Sequence, residues 1–138
     1  MAGSVFFDTN GWLAILNADE RLHAQANRTW TEIVLGKRNV VLTDWIAAET
    51  GNGLARSRKK HRLSESLTRL LRSPRTELVI VNQDLLHRSL DLFERHADKS
   101  WGLVDCASFL VMRDRDMTDA FTSDRHFEQA GFHCLLNA

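Results

Sequence analysis

Ser4-Val5-Phe6-Phe7-Asp8-Thr9-Asn10 is the stretch whose reading decides the fold. Val5, Phe6 and Phe7 are consecutive β-branched and aromatic residues without polar alternation, which predicts a short strand buried on both faces. The run ends at Asp8, and Thr9-Asn10 offers a cap for a helix through Trp12 and Leu16. Strand then helix is the opening half of a β-α-β unit, and in such units ligands bind beyond the carboxyl ends of the strands. Asp8 therefore enters that crevice, or else serves as an ordinary capping aspartate.

Reading outward, the same alternation continues. Helical spacing from Leu22 to Leu35 stops at Gly36, and an apolar strand follows from Asn39 to Thr43. Thr43 or Asp44 caps the next helix. Leucine spacing from Leu63 to Leu71 predicts another, ended by Ser73-Pro74 before a strand from Glu77 to Val81. A helix from Asp84 to His96 comes next, then an apolar helix from Trp101 to Met112 with Ser100 as its cap. Ala120 to Ser123 and His133 to Leu136 read as the last two strands, flanking a short helix that ends at Gly131. The expected architecture is an α/β three-layer sandwich, a mostly parallel five-stranded sheet covered by helices on both faces. No linker, repeat or low-complexity stretch interrupts it, so residues 1–138 are expected to form one domain.

Composition agrees and narrows the function. Of 138 residues 43% are hydrophobic, enough for one sizeable core, and 18 basic residues balance 18 acidic ones, so net charge names no partner. No apolar run is long enough to cross a bilayer and no basic-then-apolar leader opens the chain, so a cytoplasmic protein without a membrane partner is expected. Cys106 and Cys134 match neither a disulfide framework nor a zinc spacing and are assigned to the core. The six histidines are scattered, which leaves oxygen ligands for any metal.

Three further acids occupy telling positions. Asp105 lies in a helix that is apolar nearly all round, where an uncompensated carboxylate would cost several kcal/mol. Its sequence neighbours offer no basic partner before Arg113. Glu49 follows Trp45 and Ile46 at helical spacing and is expected to face inward, while Gly51 and Gly53 mark a close approach of another backbone or a ligand. Asp124 follows Ala120-Phe121-Thr122-Ser123 and sits either in the crevice or at the cap of the helix containing Phe127. Four carboxylates in one crevice repel one another unless a divalent cation compensates them, and a donor set made only of oxygen favours Mg2+ or Mn2+.

Val5-Phe6-Phe7-Asp8-Thr9-Asn10, the segment Thr43 to Glu49, Ser100-Trp101-Gly102-Leu103-Val104-Asp105 with Cys106-Ala107-Ser108-Phe109, and Phe121-Thr122-Ser123-Asp124-Arg125-His126-Phe127 together resemble, in order and spacing, the PIN-domain family. Within that family the chain resembles particularly the VapC-type ribonuclease toxins of toxin–antitoxin modules. The resemblance implies an endoribonuclease whose acids, here Asp8, Glu49, Asp105 and Asp124, bind Mg2+ or Mn2+ and hydrolyse RNA phosphodiesters with metal-activated water. Asp8 and Asp105 are expected to touch the metal directly, and Thr9, Asn10, Thr122 and Ser123 to support the site. It also implies a cognate antitoxin and a homodimer.

Arg56, Arg58, Lys59, Lys60 and Arg62, continued by Arg69, Arg72 and Arg75, form a basic cluster opposed only by Glu65, as expected of an arm that holds RNA phosphates or of a solvated helical hairpin. The four tryptophans at helical apolar positions are assigned to packing rather than to base stacking. Two rivals fit worse. A receiver domain needs an acidic pair after the first strand and an acceptor Asp after the third, where this chain has one Asp8 and Val81-Asn82. A haloacid-dehalogenase-type phosphatase needs Asp at position 10, which is Asn. A PIN fold kept only for binding RNA or protein is the remaining alternative.

Overall fold

The computed structural model describes residues 3–137. Five strands, β1 (Val5–Phe7), β2 (Val40–Thr43), β3 (Thr76–Val79), β4 (Asp119–Phe121) and β5 (His133–Cys134), form one sheet in the order β3-β2-β1-β4-β5. Every pairing is parallel. The strand predicted to be buried on both faces is the central one, and Val5, Phe6 and Phe7 are each 0% exposed. Full burial of each such side chain contributes roughly 1.5–3 kcal/mol.

Between the strands run α1 (Thr9–Leu16), α2 (His23–Leu35), α3 (Asp44–Leu54), α4 (Lys60–Arg72), α5 (Gln83–Arg95), α6 (Leu103–Asp114) and α7 (Arg125–Gln129). The chain steps outward from β1 through β2 to β3, then returns across the sheet to β4 and β5. Right-handed crossovers in opposite directions place α1–α4 on one face and α5–α7 on the other. The crevice beyond β1 and β4, where the order reverses, is the switch point that such sheets use for ligands. The main apolar seam packs Phe7 against Phe121 with ring centroids 4.7 Å apart, and Phe109 against Phe127 at 5.0 Å.

Several boundaries differ from expectation. α4 starts at Lys60 rather than Leu63, so it takes in Lys60 and Arg62 of the basic cluster. β3 stops at Val79 and β5 at Cys134. Ser100 does not cap α6: the helix begins at Leu103, and the Gly102 N–H donates to Asp105 Oδ2 at 3.0 Å, a reach-back that defines the first turn. Thr43, not Asp44, caps α3, its Oγ1 accepting the Ile46 N–H at 3.1 Å. Asp44 instead accepts the Val81 N–H at 2.9 Å and ties down the chain leaving β3.

The close approach expected at Gly51 and Gly53 falls mainly elsewhere. A Cβ on Gly51 would meet nothing within 4 Å, and one on Gly53 would lie 3.0 Å from Leu13 of α1. The tightest contact is at Gly11, where a Cβ would stand 2.0 Å from the Phe121 carbonyl oxygen. Only glycine lets the start of α1 lie against the end of β4. No helix among the described residues is long and apolar enough to cross a membrane.

Candidate metal centre

Strand register assembles the site. Phe7 pairs with Phe121, so Asp8 and Thr122, one residue further on, leave the sheet side by side. The Thr122 hydroxyl donates to Asp8 Oδ2 at 2.8 Å. Asp8 occupies the N-cap position of α1 but makes no capping hydrogen bond, so its side chain is left for the crevice. It is 5% exposed. Burial first, then the charges of Asp105, Asp124 and Glu49, push its pKa up to about 7 against the lowering effect of Thr122.

Asn10 stitches the two strand ends together, its Oδ1 accepting from the Ser123 N–H at 2.8 Å and the Ser123 hydroxyl at 3.1 Å. The Asp124 N–H in turn donates to Thr122 Oγ1 at 3.0 Å. Asp124 then caps α7, accepting the His126 N–H at 3.0 Å. The cap and the crevice were alternatives in the sequence, and the two are the same position. With Gly11 pressed against Phe121, these bonds hold the β1–α1 and β4–α7 turns as one unit.

Asp105 does not lie within the buried part of its helix. It stands in the first turn of α6, half-buried, before the continuous buried run from Cys106 to Met112. Burial and the Asp124 charge raise its pKa, while the Gly102 N–H and His126 lower it. Its compensating partner is thus an imidazole 21 residues away, with His126 Nδ1 at 3.2 Å from Asp105 Oδ2, rather than a neighbouring arginine. His126 Nδ1 also lies 3.3 Å from Asp124 Oδ1, and its Nε2 lies 3.0 Å from the Ser100 hydroxyl. Asp105, Asp124 and His126 each offer one ligand atom, all within 4.8 Å of one another. Asp8, expected with Asp105 as a direct ligand, is outside this tightest group, although its charge is coupled to both aspartates.

Glu49 was expected to face inward but is exposed. Ile46 of the same helix is fully buried, whereas Glu49 lies at the rim, where Oε1 accepts the Thr9 hydroxyl at 3.0 Å. The buried stripe of α3 runs through Ile46, Thr50 and Leu54 at i, i+4 spacing, and Glu49, three residues after Ile46, falls on its flank. His126 is the residue that sequence reasoning missed. Its signal was local, since it lies two residues after a strand-end aspartate, but scattered histidines gave no metal spacing to mark it.

The basic cluster maps to the α3–α4 loop and α4. Arg56, Arg58, Lys59, Lys60 and Arg62 are all exposed, and none forms a salt bridge among the described residues. The opposing Glu65 pairs with His61 at 3.0 Å instead. Arg75 has a structural role, donating to the Lys37 carbonyl at 2.9 Å. Trp12 and Trp101 are 4% and 5% exposed, as packing residues should be, and Trp30 and Trp45 are half-buried. Both cysteines are buried free thiols, their pKa pushed up to about 11 by burial, and the Cys134 thiol donates to the Asp124 carbonyl at 3.4 Å.

The PIN domain family matches residues 5–133. The 23S rRNA-specific endonuclease VapC20 of Mycobacterium tuberculosis, from strains CDC 1551 and H37Rv, is 32% identical over 129 residues, spanning 93% of this chain and 95% of that protein. The crystal structure of Mycobacterium tuberculosis VapC20, described as a sarcin-ricin loop cleaving toxin, superposes with a TM-score of 0.82 at 29% identity, covering 94% of this chain and 97% of that one. An all-parallel sheet with acids gathered at its switch point, together with a match over nearly the whole length, places this chain in the PIN-domain family.

Proposed function

We propose that this chain is a single-domain, Mg2+- or Mn2+-dependent endoribonuclease acting as the toxin of a toxin–antitoxin pair in the cytoplasm. The observation that carries the reading is Asp8, a carboxylate 5% exposed at the carboxyl end of the central strand, its pKa raised to about 7 by burial and by three neighbouring acids. A fold does not keep such a charge buried for stability, because an unpaired buried carboxylate is costly. The donor set fits a hard divalent cation: carboxylate oxygens from Asp8, Asp105 and Asp124, with Glu49 at the rim.

A cation held by these carboxylates would supply positive charge to activate water and to offset the negative charge that develops on the phosphate. The rest is done by the chain. Thr122 and Asn10 hold the two strand ends in register, Thr122 fixes one oxygen of Asp8, and Thr9 orients Glu49 at the entrance. Asp8 and Asp105 are the groups we assign to direct metal contact, with Asp124 binding the metal or orienting the water. Arg56, Arg58, Lys59, Lys60 and Arg62 hold phosphates flanking the scissile one. The relatives' activity on 23S rRNA makes that RNA the first substrate to test.

An apolar groove of about 590 Å3 between α1, α2 and α4 supports the antitoxin assignment. Ile15, Trp30, Val34 and Leu63 line it, and Arg62 and Arg69 rim it. Trp12, which also lines it, carries a buried indole N–H without a hydrogen-bond partner among the described residues. These features suit an amphipathic segment bearing acidic side chains. The exposed Leu90 and Phe93 of α5 are the face we assign to a homodimer.

The test is incubation of the purified protein with ribosomal RNA and Mg2+ or Mn2+, beside Asp8→Asn and a chelator, with mapping of new RNA ends. Discrete cuts lost in both controls support the nuclease. Cuts that survive either control refute it, and RNA binding without cuts returns the chain to the non-catalytic reading.

A further inference from the structure

The sequence offered a donor set of oxygen only, but the folded chain brings in a nitrogen. His126 Nδ1 faces Asp105 Oδ2 at 3.2 Å and Asp124 Oδ1 at 3.3 Å. Cis ligands of an octahedral cation with bonds near 2.1 Å lie about 3 Å apart, so both separations match edges of such a polyhedron. Each of these carboxylate oxygens also accepts a backbone N–H at 3.0 Å, from Gly102 and from His126 itself, which holds it in place beside Nδ1.

The ring is held from its other side. Ser100 Oγ lies 3.0 Å from Nε2: without a cation Nδ1–H faces Asp105, and with one bound Ser100 can accept the ring proton at Nε2 so that the Nδ1 lone pair is free to ligate. Metal-binding histidines are commonly oriented by such a partner on the second nitrogen. The neighbouring side chains restrict the ring further. Phe127, next in sequence, is fully buried against Phe6 and Phe109, and Trp101, next to Ser100, donates its indole N–H to Gln129 of α7 at 3.0 Å.

We infer that His126 supplies Nδ1 as a ligand to the cation held by Asp105 and Asp124, with Ser100 as the residue that positions its ring. The inference rests on the metal-dependent reading above. A mixed nitrogen and oxygen set discriminates Mn2+ from Mg2+ in a way that an all-carboxylate set does not, because imidazole favours the later first-row ions. A merely supporting His126 would change both affinities together.

The test is pulsed electron paramagnetic resonance on the full chain loaded with Mn2+, with isotopically labelled histidine, beside His126→Asn, and titration of both proteins with Mn2+ and with Mg2+ by calorimetry. The expected result is a histidine nitrogen coupling in the wild type that vanishes in the variant. The ratio of Mn2+ to Mg2+ affinity should fall about tenfold in His126→Asn. Ser100→Ala should keep the coupling but weaken Mn2+ binding by about tenfold. Mn2+ bound without histidine coupling, or an unchanged affinity ratio, overturns the ligand role and leaves the nuclease reading standing. Failure of Mn2+ to bind at all overturns both.

Discussion

Replacing Asp8 by Asn should make the metal-free protein more stable, and the size of the gain follows from the environment of the carboxylate. The unfolded chain ionises Asp8 near 3.8, whereas the folded chain retains its proton up to about 7. Between those values the folded state binds more protons than the unfolded one, so stability falls as pH rises through the interval and levels off above it. At about 1.4 kcal/mol per pH unit, the interval from 3.8 to about 7 corresponds to a loss of about 4 kcal/mol. Asparagine has the same shape, still accepts the Thr122 hydroxyl and carries no charge. In chelator at pH 8, Asp8→Asn should therefore melt about 10 °C above the wild type, and at pH 4 the two should nearly coincide. With Mn2+ the order should close or reverse, because the wild type gains binding free energy that the variant lacks. The assay is a set of thermal melts from pH 4 to 8 with chelator or Mn2+. An Asp8→Asn protein that melts at or below the wild type at pH 8 in chelator would refute the account of Asp8 as a destabilising charge kept for a cation.

Four further outcomes can be checked. Mn2+ affinity of the wild type, measured by calorimetry, should drop about tenfold for each pH unit below about 7, because the proton on Asp8 competes with the cation. Gly11→Ala places a Cβ 2.0 Å from the Phe121 carbonyl oxygen, so urea unfolding should show a loss of about 3 kcal/mol or no folded protein at all. Neutralising Arg56, Arg58, Lys59 and Lys60 together with Gln should flatten the logarithmic salt dependence of RNA binding by about 3, since each contact to single-stranded RNA contributes about 0.7. Val34→Glu, in the groove and 51% exposed, should leave cleavage intact while abolishing its relief by the antitoxin in a growth assay.

What the sequence determined by itself follows from one-dimensional patterns. An unbroken apolar run marks a strand covered on both faces, and Val5-Phe6-Phe7 is the central strand; alternation of strands with helices then leaves a parallel sheet with few alternatives. The same logic set Asp8 and Asp124 at strand ends, because a residue that follows a buried strand of such a sheet must emerge at the crevice. Glu49 shows where the pattern stops working. Spacing of three or four residues puts it near the face of Ile46 and Trp45, but the buried stripe of α3 runs through Ile46, Thr50 and Leu54, and Glu49 lies on its solvent flank. Tertiary structure alone decided which groups meet. The packing of α6 beside α7 brings His126 between Asp105 and Asp124, across 21 residues that no local spacing connects. The contact of α1 with β4 selects Gly11, a glycine no more conspicuous in sequence than Gly51, as one whose surroundings leave no room for a side chain. Both are facts about distance between elements, and distance is fixed by how side chains fill the space between helices and sheet rather than by the order of residues along either.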